Sequence, residues 1–461
     1  LFRSSAASDV YKRQIQDRKT KVNFLLGSNL ANEDYVAFRE FSKSISDTEQ
    51  SFYINDDLLY QGHFGQDNEL AKIDDLNSSD AIVVWAEDLK EKMPVLYLRV
   101  RQAVKKGVKL IVFGHTNKTL SDIADVFYGK ETVSKNFEII KDVSKLNEIK
   151  NYVIGKNVTA IIGKSTPQQS DDSVTELFEF LRSNSNTKIL NAYTKGNIYG
   201  AFQTLENIKG TRDFAENISG ENTDLLFIVG ADPVGRSFYS NQIKSIIENL
   251  DTVVSLDIFN HETAELSNFV IPVSSTLGEK EGTFTNIEFR TSRIDKLVPS
   301  PGQTVSDWEF ITSLMNFAGL SNDSNSLEDL NNKAFVNIET SSKPVFDNLD
   351  KPSNLDGIIN VYEPAINTSE NNSTEALFYT GEKLYGDSVT ERHSESISLL
   401  GSKKFIEVSQ DIVDKFNLTS GQCSMVQGDI ETTVSYIIND NLPNDLICLL
   451  YTSPSPRDWL Q

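Results

Sequence analysis

The sequence predicts an α/β protein with mostly parallel, doubly wound sheets, followed by the start of a β-barrel-type C-terminal domain. Short apolar runs that end in glycine or a small polar residue alternate with stretches of helical periodicity. The chain has 461 residues and is 39% hydrophobic, enough for two or three domains with sizeable cores. Near the C-terminus this alternation gives way to closely spaced β-like runs.

The α/β alternation begins with an apolar run at residues 22–27, which precedes an amphipathic stretch at 34–44. Further strands are predicted at 81–85, 108–114, 158–163, 225–230 and 252–257, and further helices at 93–106, 172–182 and 239–249. A strand followed by a helix and another strand is typical of βαβ units, so the sheets are predicted to be mostly parallel.

A polar segment divides the chain. Residues 320–374 are rich in Asn, Ser and Asp and contain Pro344, Pro352 and Pro364, which predicts a linker after an α/β region at 15–319. A C-terminal β domain is predicted at 375–447. Its expected elements are a strand at 405–408, a helix at 409–416 and β-like runs at 424–426 and 432–438.

Both ends of the chain resemble translated sequencing adapters. One DNA sequence that encodes residues 9–14 also encodes residues 448–452 when its reverse complement is read in a frame shifted by one nucleotide. Unrelated coding segments rarely have this relation, so residues 1–14 and 448–461 are predicted to be adapter-derived and are excluded from the fold prediction. We therefore expect the reading frame to continue beyond both ends.

Composition excludes several classes of function. A formal net charge of -22 argues against a nucleic-acid binder, because phosphate contacts require a basic face. The longest apolar runs are too short to span a bilayer. Outside the adapter-like ends only Cys423 remains, so neither a disulfide framework nor a cysteine-ligated cluster is predicted in this segment.

Short motifs give weak signals. Lys164 and its neighbours resemble the end of a phosphate-binding loop, but Val158 stands where the first glycine is needed. A Ser-His-Asp arrangement stays open, because triads are assembled by the fold. The histidines lack metal-ligand spacing and are interpreted as ordinary side chains; they are His63, His115, His261 and His393.

The segment Gly230-Ala231-Asp232-Pro233 follows a predicted strand. Open α/β sheets bind ligands at this position, since strand ends and helix N-termini present free amides. A plain βα turn explains the same residues and is the favoured interpretation of this stretch alone.

The most recognisable segment lies between residues 254 and 290. A strand ending in Asp257 leads to Glu262-Thr263-Ala264, then a second strand ends in Ile271-Pro272, and Glu-Gly-Thr-Phe-Thr-Asn-Ile-Glu-Phe-Arg follows at 281–290. This order resembles the molybdopterin oxidoreductase family and implies its fold. It also implies a pterin-like site, functional or vestigial, formed by Gly230, Asp232, Asp257, Thr263, Glu281, Gly282 and Asn286.

Two interpretations of the 281–290 motif remain open. Gly282 and Thr283 can form a backbone turn open to a ligand or to a neighbouring loop, with Glu281, Asn286 and Arg290 fixing it by charge-assisted bonds. Alternatively, these residues only connect parts of the fold.

Within the family, two segments resemble the large iron-sulfur subunit of bacterial NADH-quinone oxidoreductase, which is respiratory complex I. They are residues 88–101, with Pro94, Val95, Leu96 and paired arginines, and residues 27–34. That resemblance implies electron transfer from NADH toward quinone, iron-sulfur clusters in a missing N-terminal region, and other peripheral-arm subunits as partners. It implies a cytoplasmic position on the inner face of the membrane and a non-catalytic role for this segment. Residues 375–447 would be a truncated dinucleotide-binding-like β domain.

Two other interpretations remain open. In a catalytic molybdopterin-dependent oxidoreductase, such as a formate dehydrogenase, the loops after Gly230 and Asp257 would hold a pterin dinucleotide, and the metal ligand would lie upstream. A scaffold protein of the same fold is the third possibility, because cofactor residues are missing from the segment.

Overall fold

The computed structural model describes residues 20–45, 51–55, 70–86, 88–114, 118–129, 143–163, 171–205, 207–237, 239–288, 290–334, 345–346, 377–381, 390, 393–398, 405–427, 430–440, 442–444 and 446–450. The chain divides into two compact units, of which the first comprises Leu1–Gly62 and Lys195–Ile359 and the second His63–Thr194 and Asn360–Gln461. Residues 1–14, His63, His115 and the phosphate-loop-like segment at 164–166 lie outside the described residues.

The described strands, in chain order, are β1 (Val22–Leu26), β2 (Phe52–Ile54), β3 (Ala81–Trp85), β4 (Lys109–Phe113), β5 (Val126–Tyr128), β6 (Asn157–Gly163), β7 (Asn186–Ala192), β8 (Ile208–Lys209), β9 (Leu225–Val229), β10 (Thr252–Asp257), β11 (Phe269–Pro272), β12 (Gly282–Thr285), β13 (Thr291–Ile294), β14 (Val345–Phe346), β15 (Leu377–Gly381), β16 (Phe405–Val408), β17 (Gln422–Gln427), β18 (Ile430–Ile438) and β19 (Leu446–Leu450).

The described α-helices, in chain order, are α1 (Asn32–Ile45), α2 (Leu89–Lys92), α3 (Pro94–Lys105), α4 (Lys118–Ser121), α5 (Val143–Val153), α6 (Asp171–Asn184), α7 (Ile198–Thr204), α8 (Thr211–Asn217), α9 (Pro233–Arg236), α10 (Ser240–Asn249), α11 (Glu262–Leu266), α12 (Asp307–Ala318), α13 (Leu327–Ala334), α14 (Glu395–Ser398) and α15 (Gln410–Lys415). A 3-10 helix is formed by Ile73–Asn77.

The main sheet of the first unit has six strands in the order β11-β10-β9-β1-β2-β8, and each neighbouring pair is parallel. From β1 the chain proceeds to β2 and β8 on one side, whereas β9, β10 and β11 extend the other side. The order of strands therefore reverses between β1 and β9, as in doubly wound sheets. This confirms the predicted fold class.

Aromatic packing joins this sheet to helix α1. The ring of Phe24 on β1 stacks on that of Phe227 on β9, with centroids 5.8 Å apart. Phe38 and Phe41 of α1 meet Phe24 edge to face at 6.0 and 6.1 Å. All four rings are buried, so the spacing of aromatic residues along α1 places its apolar face on the sheet.

A small antiparallel sheet, in the order β12-β13-β14, completes the described sheets of the first unit. Asn286 forms the turn between β12 and β13, where its Oδ1 accepts hydrogen bonds from the amides of Glu288 at 2.9 Å and Arg290 at 3.0 Å. The amide of Asn286 also donates to the carbonyl of Arg290. The hairpin is therefore closed by an asparagine, a residue suited to tight turns.

The second unit contains a five-stranded parallel sheet in the order β5-β4-β3-β6-β7. Trp85, Phe113 and Tyr128 stack across three neighbouring strands, with ring centroids 5.1 and 5.2 Å apart. A second sheet, β15-β19-β16-β18-β17, mixes parallel and antiparallel pairs and contains the predicted C-terminal strands.

Some elements differ from the sequence prediction. The residues assigned to the linker include helix α13, which is anchored by the buried side chain of Leu330. Residues 448–450, assigned to an adapter-derived end, lie in β19, which pairs with β15 and β16. The short strands β2, β5 and β8 were not predicted, because two or three residues carry too little pattern.

Candidate functional site

The carboxyl ends of β1 and β9 meet at the point where the strand order of the first unit reverses. Gly27 donates its amide to the carbonyl of Val229 at 2.7 Å. A Cβ atom at Gly27 would lie 2.1 Å from the carbonyl oxygen of Gly230, whose φ is 58°. These strand ends are therefore lined by backbone, at the position where open α/β sheets bind ligands.

Asp232 connects the loops that follow β9 and β10. Its Oδ1 accepts hydrogen bonds from the amide of Gly235 at 3.2 Å and from Oγ1 of Thr263 at 2.8 Å. The same Thr263 oxygen accepts a hydrogen bond from the amide of Val234 at 3.1 Å. Asp232 and Thr263 are both buried, so this network replaces the water that each polar group loses.

His261 lies between two aspartates. Its Nδ1 is 3.2 Å from Oδ1 of Asp232, and its Nε2 is 3.0 Å from Oδ2 of Asp257. Burial lowers the pKa of His261, but hydrogen bonding and attraction by the two carboxylates outweigh burial and raise that pKa to about 9. The imidazole is therefore a cation at neutral pH.

The amide of Ala264 is also 3.3 Å from Nδ1 of His261, in the geometry of a helix cap. A protonated Nδ1 has no lone pair and cannot accept that hydrogen bond. Nε2 makes no hydrogen bond with a described residue, so its contact with Asp257, like that of Nδ1 with Asp232, is an ion-pair distance only. Asp257 also accepts hydrogen bonds at Oδ1 from the amides of Ile258 at 2.7 Å and Phe259 at 3.1 Å.

The structure thus brings together four of the predicted site residues, Gly230, Asp232, Asp257 and Thr263. The other three lie on or beside the β12–β13 hairpin. Glu281 and Asn286 are not buried, whereas Gly282 is buried against the start of α1. A Cβ atom at Gly282 would lie 2.8 Å from Cβ of Ala31, so only glycine fits there without a shift.

Glu33 binds the hairpin that carries Gly282. Its Oε2 accepts a hydrogen bond from the amide of Thr283 at 2.8 Å, and its Oε1 accepts from Oγ1 of Thr283 at 2.9 Å. Nδ2 of Asn331 also donates to Oε1 at 2.8 Å. Burial raises the pKa of Glu33, and these hydrogen bonds oppose the rise. The motif turn therefore faces a neighbouring helix start.

Lys280 forms a second buried ionic cluster beside the hairpin. Its Nζ is 2.6 Å from Oδ2 of Asp34 and also contacts Oδ2 of Asp307. Burial lowers the pKa of Lys280, but the two aspartates raise it above the ordinary lysine value. Burial raises the pKa of Asp307 to about 6, against the opposing effect of Lys280. These three residues tie α1 and α12 to the hairpin.

Sequence reasoning did not predict Lys280, Asp34 or His261 as site residues. Lys280 is 246 positions from Asp34, so sequence spacing gives no sign of that contact. His261 did have a local signal, because Asp257 precedes it by four residues. Among the described residues, no group of three or more His, Cys, Asp or Glu side chains is arranged to hold a metal ion.

Comparison with known proteins identifies the class. The family model of molybdopterin oxidoreductase matches residues 6–317, which is more than half of the chain. The chain therefore belongs to the molybdopterin oxidoreductase family. This supports the resemblance seen at residues 254–290.

Individual relatives agree with this assignment. The chain is 36% identical over 129 residues to F420-dependent formate dehydrogenase 2 subunit alpha of Methanococcus maripaludis, a match covering 26% of this chain and 19% of that protein. It is 33% identical over 107 residues to the assimilatory nitrate reductase catalytic subunit of Bacillus subtilis, covering 23% and 15% respectively. The matched segments thus span less than a fifth of these relatives.

A solved structure has the same fold. Acetylene hydratase from Pelobacter acetylenicus superposes with a TM-score of 0.64 at 12% identity, covering 98% of this chain and 83% of that one. Together with the family model, this confirms the predicted molybdopterin-oxidoreductase-like fold. No helix in the described part of the chain is long and apolar enough to cross a membrane.

The family to which the chain belongs implies a molybdopterin group. Gly27 and Gly230 pack against protein atoms, because an added Cβ would meet the carbonyl of Gly230 and the side chain of Leu30 respectively. The described hydrogen bonds of Asp232, Asp257 and Thr263 are made to backbone amides and to one another, and His261 faces both carboxylates. These side chains therefore shape the loops at the strand ends where the strand order reverses, which is the position where open α/β sheets bind ligands.

Proposed function

We propose that this chain is part of the catalytic subunit of a molybdopterin-dependent oxidoreductase of the formate dehydrogenase type. Family membership over residues 6–317 carries this proposal. The relatives named above are a formate dehydrogenase subunit and a nitrate reductase subunit, which favours a catalytic subunit over a purely structural one. The activity of the whole protein is part of the proposal, since the matches span a small share of those relatives.

The molybdopterin group, when bound, supplies the redox centre of such an enzyme. The residues of this chain would hold it through the backbone at Gly27 and Gly230, where the strand order reverses. Thr263 and Asp232 fix the loop after β9 against the loop after β10. His261 reduces the negative charge of two carboxylates behind this edge, which favours the approach of an anionic group.

A second candidate is the large iron-sulfur subunit of an NADH-quinone oxidoreductase, in which this segment would be structural. The Pro-Val-Leu segment at the start of α3 supports it. A structural role is also supported by the contacts of the predicted site side chains with other protein groups, such as those of Asp232 with Thr263 and of Asp257 with His261. In that case iron-sulfur clusters would lie upstream, and other peripheral-arm subunits would be the partners. The complex would sit on the cytoplasmic face of the membrane.

Metal analysis of the protein from the complete gene separates the two candidates. We expect near-stoichiometric molybdenum, pterin fluorescence after denaturation, and formate oxidation with an artificial electron acceptor. Iron-sulfur signals without molybdenum, together with co-purification of NADH-oxidising subunits, would favour the iron-sulfur subunit instead. Absence of molybdenum, pterin, formate oxidation and NADH oxidation would reject both candidates.

A variant tests the proposed position of the group. Gly230→Asn adds a side chain at the strand end. Asparagine is suitable because it tolerates the positive φ of this position. The added Cβ would lie 2.9 Å from Cδ2 of Leu30, so the end of that flexible side chain has to shift. We expect molybdenum content to fall while the fold persists. Gly421→Asn is the matched control, because Gly421 also has a positive φ and has no atoms within 4 Å of an added Cβ.

A further inference from the structure

The loop after β1 comprises residues 27–31 and lies at the edge where the strand order of the first unit reverses. We propose that Asn29 of this loop is a ligand-contacting side chain, whose Nδ2 donates a hydrogen bond to an acceptor oxygen of the group bound at this edge. Asn197 is the positioning residue that holds the loop around Asn29. The inference rests on the proposed function, because it takes the bound group from there.

Asn29 is exposed, yet it is held from two directions. Its Oδ1 accepts a hydrogen bond from the amide of Gly196 at 3.0 Å, and its carbonyl accepts one from Oγ1 of Thr276 at 3.3 Å. An exposed side chain normally rotates freely, so ordering it costs conformational entropy when a ligand binds. The side chain of Asn29 is already ordered in the folded chain, which favours ligand binding.

The hydrogen bond from Gly196 determines what Asn29 offers to a ligand. A backbone N–H can only donate, so the oxygen of the Asn29 amide group must face it and Nδ2 must point the other way. Nδ2 carries two N–H donors, and no described residue accepts a hydrogen bond from it. Asn29 therefore presents donors at this edge, which suit the acceptor oxygens of phosphate and carbonyl groups.

Asn197 fixes the residues on both sides of Asn29. The amide of Asn197 donates to the carbonyl of Ser28 at 2.9 Å, and its Nδ2 donates to the carbonyl of Leu30 at 2.6 Å. Nδ2 also donates to Oδ1 of Asn32, at the start of α1, at 2.9 Å. Asn197 is fully buried, so water does not compete for these hydrogen bonds. The conformation of the loop therefore depends on Asn197.

The position of Asn197 depends in turn on Gly200 of α7. A Cβ atom at Gly200 would lie 2.3 Å from Oδ1 of Asn197 and 1.9 Å from Oδ1 of Asn32, so a side chain there would displace both. Oδ1 of Asn197 also accepts a hydrogen bond from the amide of Thr285 on β12 at 2.7 Å. Both polar atoms of the Asn197 side chain are used within the protein, so Asn197 acts on a ligand only through the loop.

A comparable asparagine lies at the opposite edge of the same sheet. Asn268 is exposed and immediately precedes β11, and its Oδ1 accepts a hydrogen bond from the amide of Val253 at 2.7 Å. It lies at the amino ends of β10 and β11, whereas open α/β sheets bind ligands at the carboxyl ends of their strands. Asn268 is therefore a matched control for Asn29.

The first experiment measures the rate of pterin release, by fluorescence, from the protein of the complete gene. Asn29→Asp keeps the oxygen that accepts from Gly196 and removes the N–H donors. We expect release to become roughly tenfold faster, by about the effect of one lost hydrogen bond. Asn268→Asp makes the same chemical change at the opposite edge and should release pterin at the parent rate. Equal rates for the parent and Asn29→Asp would overturn the inference alone, whereas a parent without pterin would reject the proposed function and the inference with it.

The second experiment measures amide hydrogen exchange of residues 28–31 in the same protein. Asn29→Asp should keep the parent protection, since its hydrogen bonds within the protein remain. Asn197→Asp should lose roughly tenfold in protection and release pterin faster, because a carboxylate cannot donate to the carbonyl of Leu30.

Thr204→Val is the control for Asn197→Asp, because it removes a buried hydrogen bond of α7 that does not involve the loop. It should change neither the protection of residues 28–31 nor pterin release. Parent-like behaviour of Asn197→Asp would overturn its positioning role. Loss of protection in Asn29→Asp would make Asn29 a structural residue of the loop and overturn its contact with a ligand, even if Asn197→Asp does not fold.

Discussion

Two buried clusters of the first unit each contain one basic side chain between two aspartates. They differ in the pKa of that basic side chain. In one, Lys280 lies between Asp34 and Asp307, and in the other His261 lies between two aspartates. An ammonium group with a raised pKa stays charged over the whole accessible pH range. An imidazole with a pKa of about 9 does not. The charge of the first cluster is thus constant, whereas the charge of the second changes with pH.

The clusters also differ in what they join. Lys280 links helix starts separated by hundreds of residues, since Asp34 precedes it by 246 positions and Asp307 follows it by 27. His261 links two loops at neighbouring strand ends. Loss of Lys280 should therefore affect the whole unit, whereas loss of His261 should affect one edge of its sheet.

The largest effect is expected for Lys280→Met. The substitution leaves two aspartates buried without their cation, which typically costs about 3–5 kcal/mol in the free energy of unfolding. Urea unfolding at pH 7 measures this loss. Lys296→Met is the control, because Lys296 is exposed and donates to Ser300. A change below about 1 kcal/mol would mean that the ionic tie contributes little.

His261→Gln should give a smaller effect that depends on pH. The pKa of His261 is raised in the folded state, so its stabilisation is fully present below pH 6.5 and is lost as pH rises through about 9. We expect a loss of about 2–3 kcal/mol at pH 6 and little difference from the parent near pH 10. Unfolding curves across this range check it. A loss that is the same at both pH values would remove the contrast with Lys280.

Gly282→Ala should destabilise the hairpin contact by about 1–3 kcal/mol, because the new methyl group would overlap Ala31 and Glu33. Thermal unfolding measures the effect. Gly220→Ala is the matched control, since its added Cβ would meet only the carbonyl of Asn249 at an ordinary 3.6 Å. Equal unfolding midpoints for Gly282→Ala and Gly220→Ala would show that the start of α1 moves to accommodate the added methyl group at little cost.

The smallest effect is expected for Glu281→Ala. Sequence reasoning assigned Glu281 a role in fixing the motif turn, but its side chain is exposed and Glu33 makes the hydrogen bonds to Thr283. The free energy of unfolding should change by less than about 0.5 kcal/mol. Glu33→Gln, measured beside it, should cost more. The reverse order would restore the original interpretation of Glu281.

The sequence predicted those features that depend on local pattern. The long parallel strands and their helices follow from apolar periodicity, whereas Asp232 and Asp257 were assigned to one site through the resemblance to the family. The two ionic clusters were missed because their partners meet only through the fold. His261 was interpreted as an ordinary histidine, since the search was for metal-ligand spacing and its partners are carboxylates.

Helix α13 shows the opposite limitation. Its surroundings are rich in Asn and Ser, so composition predicted a linker. The helix forms because Leu330 is buried, Ser326 caps its start through Asp329, and Asn331 donates to Glu33. One apolar anchor and two polar contacts outweigh the local composition, and only the tertiary structure shows them.

The close approach of Gly27 and Gly230 has a consequence for reading related sequences. Because an added Cβ at Gly27 would lie 2.1 Å from the carbonyl of Gly230, strand packing alone demands a glycine there. Selection for a stable sheet would preserve that glycine in lineages that bind the cofactor and equally in lineages that have lost it. Its presence in a homologue therefore records inheritance of the architecture and carries no information about retained chemistry.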